Sequence, residues 1–190
     1  MKSSIKNQIM ENIEVKQCIY NSPYCINIIQ RITGEIIKAY KNGNSLLLCG
    51  NGGSASDAQH IACEMVSKLK IKRRAYSAIS LSSNISIITA IGNDFEFDAV
   101  YERQIEALGS KGDILLSIST SGNSNNIYRA ILKANSMGLM TISLLGQTGG
   151  KCNNISDISF VVPSMEVTRI QECHIMLGHI ICDLVEKNLA

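Results

Sequence analysis

Two side chains in the first half of the chain, His60 and Glu64, have the types and spacing of a reactive pair. They lie four residues apart in a segment of helical periodicity, so both project from one face about one turn from each other. An imidazole beside a carboxylate can move a proton or hold a divalent metal ion. Ordinary surface pairs share this spacing, so both interpretations stay open at this point.

A second set of polar side chains lies in a strongly apolar helix that we predict from Thr168 to Lys187. Polar groups in a buried helix are costly unless they find partners, so some of them must point into a shared site. Gln171 and His179 are eight residues apart and lie roughly on one face, whereas we assign His174 a structural role. Four side chains form a donor set compatible with zinc or a similar divalent ion if they meet: His60, Glu64, Gln171 and His179.

Two glycine-containing turns predict phosphate-binding loops. The apolar run 46–49 stops in Gly-Asn-Gly-Gly-Ser at 50–54, and the run 114–118 stops in Ser-Thr-Ser-Gly-Asn-Ser at 119–124. A helical pattern follows each turn. Glycine permits positive φ and close backbone approach, and the first N–H groups of the following helix favour an anion. The first turn matches neither the dinucleotide fingerprint nor the P-loop, which has a lysine after its last glycine.

Alternating strands and helices position these turns. Short apolar runs predict strands at 46–49, 77–81, 114–118, 140–145 and 158–162. Helical patterns lie between most of them, which predicts an α/β fold with a mostly parallel sheet covered on both faces. Two further helices, separated at Pro23, form an N-terminal segment over 1–42, which we assign to the same domain as 43–190.

Length and composition limit the class of protein. A chain of 190 residues fits one domain. Its net charge of +2 gives no general attraction to nucleic acid or to an anionic membrane surface, and no apolar run approaches the roughly 20 residues of a membrane span. Seven cysteines without a C-x-x-C pair are typical of reduced thiols. We therefore expect a cytoplasmic protein with neither a nucleic-acid nor a membrane partner.

The predicted C-terminal helix is apolar around much of its circumference, so it must be buried on most sides. We expect it and the N-terminal helices to pack against a second subunit, which predicts a homo-oligomer. Two other features keep two interpretations each. The basic stretch 68–74 is either solvated loop charge or a contact to a ligand or subunit, and Gly146 with Gly149-Gly150 forms either a plain turn or a third ligand loop.

Five motifs in order give the chain a resemblance to a known family. They are Cys-Gly-Asn-Gly-Gly-Ser (49–54), Asp-Ala-Gln-His (57–60), Gly-Asn-Asp-Phe (92–95), Ser-Thr-Ser-Gly-Asn-Ser (119–124) and Arg-Ile-Gln-Glu (169–172). Over nearly its whole length the chain resembles the phosphoheptose isomerases, which are sugar-isomerase (SIS) domain proteins. One departure lies before the last motif, where Val167-Thr168 replaces the acidic or small residue that is frequent in the family; Glu166 is the nearby carboxylate.

The resemblance implies interconversion of sedoheptulose 7-phosphate and D-glycero-D-manno-heptose 7-phosphate, the first step toward nucleotide-activated heptose for a surface polysaccharide such as lipopolysaccharide or capsule. It implies a doubly wound five-stranded parallel sheet in a tetramer with active sites at subunit interfaces. Glu64 and His179 match the catalytic pair, and one zinc ion per subunit is implied at His60, Glu64, Gln171 and His179. The implied substrate-binding residues are Asn51, Gly52, Gly53, Ser54, Glu64, Asn93, Asp94, Ser119, Thr120, Ser121, Ser124 and Gln171.

Two alternatives remain from the sequence. SIS domains also act without catalysis, as sugar-phosphate sensors or as adaptors that bind a replication initiator, but relatives of that kind tend to lack the carboxylate and the last-helix histidine found here as Glu64 and His179. The second alternative is an isomerase of another sugar phosphate, because the motifs bind a phosphate and a polyol without measuring the length of the sugar. Asn93-Asp94 can also form a simple turn.

Overall fold

The structure, a computed structural model, describes residues 1–190 as one α/β unit. The helices are α1 (Lys2–Asn21), α2 (Pro23–Lys41), α3 (Gly53–Val66), α4 (Ile85–Asp94), α5 (Glu102–Leu108), α6 (Asn125–Ser136), α7 (Gly150–Asn153) and α8 (Val167–Leu189). The strands are β1 (Leu46–Gly50), β2 (Ala78–Ser80), β3 (Ile114–Ser119), β4 (Met140–Leu145) and β5 (Ile158–Val161). None of the helices is both long and apolar enough to cross a membrane.

The five strands form one sheet in the order β2-β1-β3-β4-β5, and every neighbouring pair is parallel. This confirms the predicted fold class, and each predicted strand agrees with the observed one to within one residue at either end. The order reverses between β1 and β3, where Gly50 is in register with Ile118. In open parallel sheets such a switch point leaves a crevice at the carboxyl ends of the strands, and both glycine turns leave the sheet there.

Helices cover both faces of the sheet, so the interior consists of two separate cores. Along β1, Leu46 and Leu48 face a core of 27 buried residues that lies under α2, α3 and α8. Leu47 points the other way, into a core of 16 buried residues under α4, α5 and α6. The alternation follows from the two-residue period of a strand, and it explains why the strands are apolar on both faces.

The first two helices are separated at the predicted place. Ser22 is the N-cap of α2, its Oγ accepts a hydrogen bond from the Cys25 N–H at 3.3 Å, and Pro23 occupies the first helical position. Buried residues of α2, among them Ile32 and Ile36, belong to the same core as α3 and α8. Helix α1 places Ile19 in that core but leaves four other apolar side chains exposed to solvent, namely Ile5, Ile9, Met10 and Ile13.

The basic stretch 68–74 was expected to be either solvated or in contact with a ligand or subunit, and Arg73 is neither. The Arg73 side chain is only 4% exposed, and its Nε lies 3.2 Å from Oε1 of Glu186 on α8. Lys70 also pairs with α8, through Asp183 at 2.8 Å. The stretch therefore fastens the end of α3 to the C-terminal helix of the same chain. All seven cysteines are free.

Candidate active site

The first glycine turn brings the backbone close to itself where β1 ends. A Cβ at Gly50 would lie 2.4 Å from the Ser54 carbonyl oxygen, so only glycine fits there. Gly52 has φ +55° and precedes the first residue of α3, which has no side-chain cap. Ser54 is buried in the first turn of that helix. The turn thus directs an uncapped helix N-terminus and a hydroxyl toward the crevice, as an anion site requires.

The second turn is organised by its own hydroxyl groups. Ser119 Oγ accepts a hydrogen bond from the Gly122 N–H at 3.1 Å, and Ser121 Oγ accepts one from the Asn123 N–H at 3.2 Å. Ser124 is the N-cap of α6, yet its side chain makes no cap hydrogen bond, and the first turn of α6 has no acidic residue. The start of α6 therefore has a free hydroxyl and a positive helix end available to a phosphate.

The glycine pair after β4 supports the second turn from behind. Gly122 has φ +65°, and a Cβ there would lie 1.9 Å from the Gly149 carbonyl oxygen. The Cys152 N–H donates to the Gly122 carbonyl at 2.9 Å, and the Lys151 N–H donates to Asn123 Oδ1 at 3.1 Å. Of the two interpretations of Gly149-Gly150, the structure supports a turn, and this turn contacts the second glycine turn.

The reactive side chains meet on the face of the sheet that α3 and α8 cover. His60 Nε2 lies 3.3 Å from Glu64 Oε1 on α3 and 2.9 Å from His179 Nε2 on α8. The ligand atoms of all three residues lie within 4.8 Å of one another. At 2.9 Å the two ring nitrogens cannot both carry a proton, so at least one presents a lone pair toward the other. The cluster can therefore relay a proton or bind a cation.

Comparison with known proteins places these features in one family. The sequence model of the SIS domain matches residues 26–146. The phosphoheptose isomerase of Clostridium acetobutylicum is 51% identical over 189 residues, which cover 100% of this chain and 96% of the relative. The chain belongs to the phosphoheptose isomerases of the SIS domain family. A solved phosphoheptose isomerase from Neisseria gonorrhoeae matches 98% of both chains with a TM-score of 0.92 at 36% identity. Another, from Francisella tularensis, matches 97% of both chains with a TM-score of 0.93 at 33% identity.

Two residues that sequence analysis did not single out, Asn126 and Tyr101, support the turns of this phosphoheptose isomerase family member. The side-chain amides of Asn51 and Asn126 exchange hydrogen bonds at 2.8 and 2.9 Å, which links the start of α3 to the start of α6. The Tyr101 hydroxyl donates to the Gly50 carbonyl, which also accepts from Ser82 Oγ at 3.1 Å. Asn126 follows the second turn by two residues, in the first turn of α6, and this position is the signal by which the sequence could have identified it. Nothing in the sequence marks Tyr101.

Gln171 lies beside the first glycine turn. Its side-chain nitrogen would lie 2.6 Å from a Cβ built on Gly53, so the amide rests against that turn. It precedes His179 by eight residues on α8, which is about 12 Å of helix rise between the two backbone positions.

Burial shifts the pKa of two further residues on the same two helices, Asp57 and His174. Asp57 lies one turn before His60, and one of its carboxylate oxygens is buried without a hydrogen-bond partner. Burial raises the pKa of Asp57, while His60 and His179 act in the opposite direction. His174 is fully buried, with Nε2 3.0 Å from the Leu145 carbonyl oxygen, and burial lowers its pKa to about 4. A neutral, hydrogen-bonded histidine in the core has the structural role predicted for it.

Asn93 and Asp94 lie at the end of α4, where both are exposed. Their side chains hydrogen-bond to each other at 2.8 Å and make no other side-chain hydrogen bond. No side-chain hydrogen bond therefore joins them to the cluster or to the turns. Glu166 is an exposed N-cap of α8 without a side-chain cap bond, and Val167-Thr168 forms the first turn of that helix.

Proposed function

We propose that the protein interconverts sedoheptulose 7-phosphate and D-glycero-D-manno-heptose 7-phosphate as an aldose–ketose isomerase. The observation that carries this proposal is the contact of His60 with both Glu64 and His179, in a chain of the phosphoheptose isomerase family. A non-catalytic sensor or adaptor has no need of a carboxylate and two imidazoles held within reach of one another. The geometry therefore favours the enzyme over the binding protein.

The substrate phosphate would bind at the crevice between the two turns. The groups that we assign to it are the hydroxyls of Ser54, Ser119, Thr120, Ser121 and Ser124 with the N-termini of α3 and α6. Asn51, Gly52 and Gly53 would lie along the sugar, with Asn93, Asp94 and Gln171 as further polyol contacts. Neutral donors suffice for a phosphate when two helix ends point at it, which explains why these turns need no lysine.

The isomerisation moves a proton between C1 and C2 through a cis-enediol. Glu64 would take the proton from C1 while the electrons of that C–H bond form the C1–C2 double bond, and His179 would deliver a proton to the C2 oxygen. The proton then returns to C2 as the C1 hydroxyl loses its own, which yields the aldose. Glu64 would act as the base at carbon, and His179 would exchange protons with the substrate oxygens.

The donor set fits a divalent ion such as zinc. The separations of 2.9 and 3.3 Å between donor atoms are close to those between neighbouring ligands of a tetrahedral ion. The orphaned carboxylate oxygen of Asp57 beside the imidazoles is the kind of acceptor that orients metal-bound histidines. His60, Glu64 and His179 would hold the ion, which when bound polarises the substrate carbonyl. Gln171 on α8 would be the fourth ligand.

We propose a homotetramer in which neighbouring subunits complete each site. An apolar groove of about 540 Å³ lies open between α2 and α8, lined by Ile26, Ile29, Ile37, Ile180 and Leu184 among others. Together with the exposed apolar side of α1 it leaves more uncovered apolar surface on these helices than a monomer needs. Segments 1–42 and 43–190 share one core, which supports their assignment to a single domain.

The product would enter the synthesis of nucleotide-activated heptose for a surface polysaccharide, lipopolysaccharide or capsule. The seven free thiols suit a reducing compartment, and we propose the cytoplasm as the place of the reaction. The partners would then be a small sugar phosphate and further copies of the same chain, without nucleic acid or membrane.

The decisive experiment incubates the metal-replete protein with sedoheptulose 7-phosphate in deuterium oxide and follows the reaction by NMR. We expect aldose signals and solvent deuterium at C2. Glu64→Gln should bind the sugar phosphate without turning it over, whereas the matched variant Glu106→Gln removes an exposed carboxylate on α5 and should retain full activity. Binding without exchange in the wild-type protein favours a sensor, and turnover of only a hexose or pentose phosphate would change the assigned substrate.

A further inference from the structure

Helices α3 and α8 run side by side through the candidate site, and contacts at three levels hold them together. Gly53 meets Gln171 at one end, and Ile61 meets Gly178 in the middle. At the far end Arg73 and Glu186 form a buried ion pair. Glu64 lies near this end of α3.

Arg73 closes the C-terminal end of α3. Its Nη2 donates to the Glu64 carbonyl at 2.8 Å, and its Nη1 donates to the Met65 carbonyl at 2.9 Å. The last carbonyl groups of a helix have no partner within the helix, so the guanidinium replaces the missing donors. One of them belongs to Glu64, whose side chain lies in the reactive cluster.

Glu186 fixes the same guanidinium to α8. It follows His179 by seven residues, or two turns on the same face. Its carboxylate accepts hydrogen bonds from the backbone N–H groups of Leu69, Lys70 and Ile71 at 2.7 to 3.0 Å. Burial by itself raises the pKa of Glu186, but these N–H groups and Arg73 lower it below its usual range. The carboxylate is therefore charged and fully partnered.

Aromatic rings hold the guanidinium in one orientation. Its central carbon lies 4.3 Å from the centre of the Tyr76 ring, which stacks on Tyr40 at 5.0 Å. The planar fork of arginine can stack and donate in several directions at once, whereas a lysine ammonium cannot. The site thus requires arginine for its shape as well as its charge.

We propose that Arg73 and Glu186 are positioning residues for the isomerisation, which set the separation between Glu64 and His179 without touching the substrate. This inference rests on the proposed function. A displacement of about 1 Å at reacting groups can cost on the order of a hundredfold in rate. Loosening this end should lower kcat, whereas substrate affinity should persist because the phosphate turns lie at the other end of α3.

The test compares Arg73→Lys and Glu186→Gln with Asp183→Asn. Asp183 pairs with Lys70 and joins the same two segments, but has no contact with the α3 carbonyls. In Arg73→Lys we expect kcat to fall at least tenfold, while KM and the calorimetric Kd for sedoheptulose 7-phosphate stay within twofold. Asp183→Asn should change none of these values by more than twofold. Circular dichroism melting shows which variants are folded at the assay temperature, and Glu186→Gln carries the test if Arg73→Lys does not fold.

A folded Arg73→Lys protein with wild-type kcat and a lowered Tm would mean that the ion pair only stabilises the fold, and it would overturn the proposal. A second readout needs no turnover: Co²⁺ binding followed by visible absorption should be at least tenfold weaker in Arg73→Lys, because the donor atoms come from both helices. Equal Co²⁺ affinity also contradicts the proposal. If the wild-type protein does not isomerise the sugar, the proposed function fails, and the Co²⁺ comparison still tests the positioning role.

Discussion

Replacing Gly178 by alanine should push α3 and α8 apart beside His179. A Cβ at Gly178 would lie 2.8 Å from two carbons of the buried Ile61 side chain. A Cβ in ordinary van der Waals contact lies at least 3.4 Å from its neighbours, so the helices must separate by roughly 0.6 Å unless the isoleucine changes rotamer. A β-branched side chain in a helix has one strongly preferred χ1, which makes the separation the easier response.

Two opposing terms set the effect on stability. Alanine in place of a helical glycine is favourable by about 1 kcal/mol, while overpacking a core costs about 1–3 kcal/mol. We therefore expect a net loss of up to about 2 kcal/mol, and a loss of 1 kcal/mol lowers Tm by about 2–4 °C in a chain of this size. The rate should respond more strongly, with kcat reduced by roughly tenfold for a shift of about half an ångström.

Calorimetric melting and the NMR assay of aldose formation measure both quantities. Gly92→Ala is the matched control for stability, since a Cβ at this helical glycine has no atom within 4 Å and should be neutral or stabilising. Adding Ile61→Val to Gly178→Ala should restore part of kcat because it removes one of the two carbons in the way. A Gly178→Ala protein that melts higher than wild type and keeps its kcat would refute this account of the helix contact.

Three further predictions concern other parts of the molecule. Gly122→Ala should weaken binding of inorganic phosphate at least tenfold by calorimetry, since its Cβ would overlap the Gly149 carbonyl; unchanged affinity would move the phosphate away from the second turn. His174 has a folded-state pKa of about 4 against 6.5 when unfolded, so between these values the unfolded chain binds more protons and stability falls as pH decreases. The loss approaches about 3 kcal/mol at pH 4, and urea titrations of His174→Gln should lack this component of the pH dependence. Gly34→Arg places a charged side chain in the apolar groove between α2 and α8 and should lower the mass by light scattering; an unchanged mass would place any subunit interface elsewhere.

The sequence predicted the elements and turns well because both depend on local signals. Apolar runs followed by a glycine-containing turn located β1 and β3, and the predicted strand boundaries agreed with the observed ones to within one residue. The structural role of His174 also followed from its apolar helix. These features are encoded within one turn or one strand, where residue type and period are sufficient.

Contacts between distant segments were not predictable in the same way. Arg73 belongs to a stretch that resembles a solvated loop, and only the approach of Glu186, more than a hundred residues later, makes it a buried cap. Tyr101 and Asn126 support the glycine turn for the same reason. The periodicity placed Gln171 on the same face as His179, but only the fold shows that its amide rests against the glycine turn at Gly53.

The two cores on opposite faces of the sheet have a consequence for sequence variation. The second glycine turn precedes α6, which packs in one core, whereas the helices that carry Glu64 and His179 pack in the other. Mutations that repack one layer need no compensating changes in the other, since additivity holds for sites without shared neighbours. The second turn and the reactive cluster can thus evolve independently, and a new reaction on a phosphorylated sugar could arise from substitutions confined to a single layer.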